Sequence, residues 1–125
     1  MPILALRGAV TIDDDTPDDI ERQTTRLLET LYERNGLVHD DIISIFFTAT
    51  PDIRSAPPAV SARKFGLVDV PLLCVQEMDV DGALQMCVRL MLHLETDRSR
   101  NELRHVFLRG AVTLRPELAE EGDER

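Results

Sequence analysis

The first apolar stretch of the chain, Ile3-Leu4-Ala5-Leu6-Arg7-Gly8-Ala9-Val10-Thr11-Ile12, is partly β-branched and holds a single arginine, and it predicts a strand over residues 3–12. Thr16-Pro17-Asp18-Asp19 then combines an N-cap threonine, a proline suited to the first helical position and acids for the first turn. Ile20, Thr24, Leu27, Leu28 and Leu31 follow at helical spacing, and Asn35-Gly36 supplies a stop with glycine as the left-handed cap. Ile42 to Thr50 is a continuous β-branched and aromatic run, read as a buried strand that Pro51-Asp52 breaks. Pro57-Pro58 opens a short helix from Ala59 to Phe65, closed by Gly66, and further strands are predicted near residues 70–75, 86–95 and 104–114. In the fourth strand the period of two puts Val88, Leu90, Leu92 and Leu94 on one face and Cys87, Arg89, Met91 and His93 on the other.

Five strands with one long and one short helix predict an α+β domain whose mixed five-stranded sheet is covered on one face. The second face carries Arg7 and Arg89 among residues too apolar for water, so oligomerisation is the expected cover. Residues 1–116 read as one domain and residues 117–125 as an acidic, flexible C-terminal tail.

Two charges stand out against this pattern. Val70-Pro71-Leu72-Leu73-Cys74-Val75-Gln76-Glu77 runs an apolar strand straight into a carboxylate, and Arg89 interrupts Cys87-Val88-Arg89-Leu90-Met91-Leu92. Burying either charge without a partner is costly, so they either pair with each other or line a polar pocket within an apolar wall.

The net charge of −9 argues against a nucleic-acid partner, whose phosphates need a basic footprint. No apolar run reaches the roughly 18 residues of a membrane span, and the N-terminus lacks a basic n-region, so a soluble cytoplasmic protein is expected. Cys74 and Cys87 lie 13 positions apart with no metal-ligand spacing and are expected to be reduced thiols. His39, His93 and His105 are scattered singly and read as surface or packing residues. The sequence offers no zinc motif, P-loop, dinucleotide fingerprint or nucleophile elbow.

Taken in order, Arg7-Gly8-Ala9, Asp15-Thr16, Ala49-Thr50-Pro51-Asp52, Pro58-Ala59, Arg63, Val70-Pro71, Cys74, Gln76-Glu77-Met78-Asp79-Val80, Arg89, Thr96-Asp97, Arg104-His105-Val106 and Leu114-Arg115-Pro116 resemble the AroH-type monofunctional chorismate mutases over nearly the whole chain. The resemblance implies a pseudo-α/β-barrel homotrimer with active sites at the subunit interfaces. It also implies conversion of chorismate to prephenate on the route to phenylalanine and tyrosine, with no metal or cofactor, no nucleophile and no proton transfer.

Carried onto this chain, Arg89 would meet the breaking ether oxygen and one carboxylate, and Arg7 would grip a substrate carboxylate. Glu77 would accept a hydrogen bond from the ring hydroxyl, assisted by the backbone around Leu73 and Cys74. Val75, Gln76, Ala59 and Leu114 would complete the substrate-binding wall, with Cys74 as a wall residue rather than a nucleophile. Arg63 and Arg115 would sit at the pocket mouth. Phe107 stands where the family usually has tyrosine; its ring would cover the ligand without the hydroxyl. Pro57 and Val60 also depart from the family pattern and would make the neighbouring subunit's wall more apolar than usual.

Two other readings compete, the first of them using the same arginines. A non-enzymatic trimeric module binding a small carboxylate would have no need of an acid opposite its cation. An enamine or imine hydrolase would need a water-activating group.

Overall fold

The computed structural model describes residues 2–114, so Arg115 and the predicted tail over residues 117–125 lie outside the described residues. Strand β1 spans Ile3–Thr11 and is followed by helix α1, Pro17–Asn35. The Thr16 hydroxyl accepts the Asp19 N–H, Pro17 opens the first turn, and Gly36 closes the helix at φ 56°, a left-handed conformation that glycine adopts without a Cβ penalty. Strand β2 is Ile42–Ala49, helix α2 Pro58–Phe65, β3 Leu72–Gln76, β4 Cys87–Glu95 and β5 Val106–Leu108.

The fifth strand is the clearest departure from expectation. It runs for three residues instead of filling 104–114, because Arg109 takes a positive φ of 56° and turns the chain into a short 3-10 helix, Arg109–Thr113. The sheet order is β3-β2-β4-β1-β5. Its central pairs, β2–β4 and β1–β4, are antiparallel, and the outer pairs, β2–β3 and β1–β5, are parallel. This is the mixed five-stranded α+β sheet expected from the sequence.

Both helices lie on one face. Ile20, Leu27, Leu28 and Leu31 of α1 are buried, and the last three share a core with Leu6, Val10, Ile45, Phe47, Val88, Leu92 and Leu94. Gly8 makes the close approach of α1 possible: a Cβ there would meet the Leu27 and Leu31 methyls at 3.1 Å.

The acidic clusters near the helix start are used internally. Asp19 is 4% exposed, accepts the backbone N–H groups of Asp13 and Asp14, and pairs with Arg22 at 2.7 Å. Asp15 accepts the N–H groups of Arg54 and Ser55. No described helix is long and apolar enough to cross a membrane.

The opposite face of the sheet is open in the single chain. Phe46, Leu73, Val75 and Met91 are 46%, 53%, 47% and 38% exposed there. A smaller cluster of Ala9, Cys87, Phe107 and Ala111 closes this face at the β5 end.

Candidate active site

Strand alternation decides which side chains reach the open face. In β1 it presents Arg7 and Ala9, in β4 Arg89 and Met91, in β2 Phe46 and Thr48, and in β3 Leu73 and Val75. Ladder pairs set Arg89 opposite Ala9 on one side and Thr48 on the other, and Arg7 opposite Met91. All of these but Ala9, together with Leu90 and with Glu77 just beyond the end of β3, line a cavity of about 530 Å³. Its walls are apolar except for two guanidinium groups, one carboxylate and one hydroxyl.

Glu77 and Arg89 face each other with Glu77 Oε1 3.5 Å from Arg89 Nε, and their side chains are 25% and 23% exposed. That separation is an ion pair without a hydrogen bond: Arg89 Nε is buried and has no hydrogen-bond partner among the described residues. Glu77 is held from another side, by the Thr48 hydroxyl, which donates to the same Oε1 at 2.6 Å. The pair is therefore fixed on its acid side, while one donor on its cation side has no acceptor among the described residues.

Arg7 is positioned from two directions. Its backbone N–H donates to His105 Nδ1 at 2.9 Å, which keeps that nitrogen unprotonated and the ring proton on Nε2. Its guanidinium carbon lies 5.7 Å from the centroid of the Phe107 ring, a cation–π distance. Phe107 is itself fully buried and is not among the residues that line the cavity; its ring packs against Arg7. Leu114 likewise packs against the Phe107 cluster and stays out of the cavity.

The remaining residues singled out in the sequence divide by parity. Leu73 and Val75 are in the cavity, whereas Cys74 points to the helix side of β3 and packs partly buried against the main core. Burial raises the Cys74 thiol above its ordinary range, against the lowering effects of a backbone hydrogen bond with Ala59 and the charge of Arg63. Gln76 shares a separate concavity with Cys74, Pro57 and Pro58. Ala59 is buried on α2, while Arg63, one turn later, is exposed. Cys74, Gln76, Ala59 and Arg63 thus stand behind the edge strand, away from this chain's own cavity.

Cys87 lies within the β5-end cluster, where burial pushes its thiol up to about 11 in spite of the neighbouring Arg89 charge. Both cysteines are unbridged.

The sequence places Met91 on the Arg89 face but does not single out Thr48, Phe46 or His105 for the site. Thr48 and Phe46 could have been found by extending the period of two through Ile42–Ala49. His105 carried no local signal, because its partner is 98 positions away.

The family model described as chorismate mutase type I matches residues 3–118. The chain is 40% identical over 120 residues to the chorismate mutase AroH of Bacillus subtilis, covering 95% of this chain and 94% of that protein. It is also 40% identical over 117 residues to the chorismate mutase AroH of Thermus thermophilus, covering 93% and 96% of the two chains. Among solved structures, a chorismate mutase from Clostridium thermocellum superposes with a TM-score of 0.86 at 45% identity, covering 88% of this chain and 98% of that one. A match of this extent, on a fold with this sheet, makes the chain a member of the chorismate mutase type I family.

Proposed function

We propose that the cavity between Arg7, Glu77 and Arg89 carries out the family's reaction, the intramolecular rearrangement of chorismate to prephenate, by positioning and electrostatics alone. Chorismate is a dianion that must be held in an unfavourable conformer while one C–O bond breaks and a C–C bond forms. Fixing the two reacting carbons near each other removes much of the entropic barrier. The ether oxygen gains negative charge as its bond breaks, and a cation already oriented there stabilises that charge without reorganising.

Arg89 is the group for this task, and the observation that carries the reading is its place on the cavity wall, its side chain partly exposed and its Nε 3.5 Å from Glu77 with no hydrogen-bond partner among the described residues. A millionfold acceleration corresponds to about 8 kcal/mol, and a single aligned donor supplies roughly 3–4 kcal/mol of it by analogy with oxyanion holes. Arg7, braced by Phe107 and His105, takes a substrate carboxylate with its planar fork. Glu77, oriented by Thr48, accepts the ring hydroxyl and fixes which way the ring lies.

The working assembly in this reading is a homotrimer. The exposed Phe46, Leu73, Val75 and Met91 make an apolar floor that a neighbouring copy would cover. A neighbour would also be the source of the second wall, from the α2 region with Pro57, Ala59, Val60 and Arg63. Two unbridged thiols fit the reducing cytoplasm, where we place the protein.

The test is direct: purified protein is added to chorismate, the loss of its absorbance is followed, and prephenate is identified as the product. Consumption of chorismate to any product other than prephenate would refute the assignment.

A further inference from the structure

We infer that the segment Ala49-Thr50-Pro51-Asp52 is a clamp that sets the distance between Glu77 and Arg89, with Thr50 and Asp52 acting as positioning residues for the rearrangement. This inference rests on the reading of Arg89 and Glu77 given above. The two side chains come from strands on opposite sides of β2: Ala49 pairs with Gln76 of β3 and with Val88 of β4. Their backbones are thus two strand spacings apart, about 10 Å, and the side chains must converge across the end of β2. Small movements of either strand end would alter the 3.5 Å approach of their tips.

Both strand ends are tied to this one segment. The Glu77 N–H donates to the Ala49 carbonyl at 2.8 Å, just past the last β3 residue. On the other side the Thr50 N–H donates to the Cys87 carbonyl at 3.1 Å, and the Cys87 N–H donates to the Thr50 hydroxyl at 3.0 Å. That hydroxyl in turn donates to Asp52 Oδ1 at 2.5 Å. The Asp52 carboxylate also accepts the Met86 N–H, at 3.2 and 3.0 Å to its two oxygens.

Met86 is where the intervening loop, residues 78–86, rejoins the sheet, and it does so at φ 54°. A non-glycine residue in the left-handed region persists only when its surroundings hold it. The Asp52 carboxylate and the bond from the Ile12 N–H to the Met86 carbonyl, 2.8 Å, do so here. Thr50 is 4% exposed, so its hydroxyl has no water to fall back on. The clamp delivers β4 to the cavity in a fixed register, three residues before Arg89.

The experiment compares Thr50→Val, Thr50→Ser, Asp52→Asn and Asp52→Asn/Met86→Gly with Arg89→Gln. Each is checked for an unchanged circular dichroism spectrum and an unchanged assembly mass before kinetics. Thr50→Val and Asp52→Asn are expected to lower kcat by about 10-fold to 100-fold with KM changed far less, the signature of a misplaced group. Thr50→Ser should restore near-normal kcat because it keeps the hydroxyl. The double variant keeps a foldable turn should Asp52→Asn alone unfold, since glycine tolerates the φ at position 86.

An independent readout is the Arg89 Nε–H resonance in a 15N spectrum, assigned by its disappearance in Arg89→Lys. It should shift in Asp52→Asn if the clamp sets its surroundings. Folded Thr50→Val and Asp52→Asn proteins with normal kcat and an unmoved Nε–H resonance, beside an inactive Arg89→Gln, would overturn the clamp and leave the site reading intact. An Arg89→Gln protein with normal kcat would overturn both.

Discussion

Thr48 donates its hydroxyl hydrogen to Glu77 Oε1 at 2.6 Å, the same oxygen that stands 3.5 Å from Arg89 Nε. A neutral donor on β2 therefore holds the carboxylate in place, and the cation is not used up in doing so. Replacing Thr48 with valine keeps the shape but frees the carboxylate to close on Arg89. The expected result is a loss of about 10-fold or more in kcat/KM, since hydrogen bonds to charged groups contribute roughly 1.5–3 kcal/mol. Steady-state kinetics on chorismate check this, and an unchanged kcat/KM would mean that Glu77 needs no such restraint.

The two thiols are expected to be bystanders. Burial holds Cys87 near a pKa of about 11 and raises that of Cys74, so neither offers much thiolate at neutral pH. Native protein treated with a disulfide-exchange reagent should react slowly and keep its turnover, and exhaustive chelation should leave turnover unchanged. Complete inactivation by chelator alone would contradict a rearrangement driven by side chains.

Asp19 makes stability fall in acid. Burial by itself would raise its carboxyl, but the Asp14 and Asp13 amides, the Gln23 side chain and Arg22 together hold it below the usual aspartate range. A depressed folded-state pKa stabilises the fold at pH above the unfolded value of about 4, and the benefit is lost as pH falls through the folded value. Thermal melts between pH 7 and pH 3 should show Asp19→Asn less stable than the parent at pH 7. The gap should narrow towards pH 3, and a constant gap would remove the ionic explanation.

The open sheet face gives the assembly prediction. Light scattering should report about three times the 14.1 kDa chain mass. Leu73→Asp, which places a charge on the apolar floor of the cavity, should yield monomers with little activity. A fully active monomer would rule out a site completed by a neighbour.

How much of this was readable beforehand follows from where each signal resides. The bounds of α1 were legible because Thr16, Pro17 and Gly36 specify its ends chemically. Glu77 and Arg89 were legible because a charge in an apolar strand is conspicuous whatever the fold. The faces of β3 were not, since Leu72-Leu73-Cys74-Val75 is apolar throughout and an unalternating run hides its parity. Hence the pattern does not separate Cys74 from Leu73 and Val75, though it points the other way. The end of β5 is hidden because the turn at Arg109 places a non-glycine residue at positive φ. His105 and Thr48 act through partners 98 and 29 positions away, and such pairings exist only once the sheet register is known.

The charge on Arg89 is the centre of this account, and its replacement is the most direct measurement. Arg89→Gln, shown to be folded and assembled, is expected to lose at least ~3 kcal/mol of transition-state stabilisation, about 100-fold or more, mainly in kcat. Arg89→Lys should recover part of the loss, because a point charge remains although the fork geometry is gone. A folded Arg89→Gln with near-normal kcat and only a weaker KM would make Arg89 a binding residue and contradict the electrostatic mechanism.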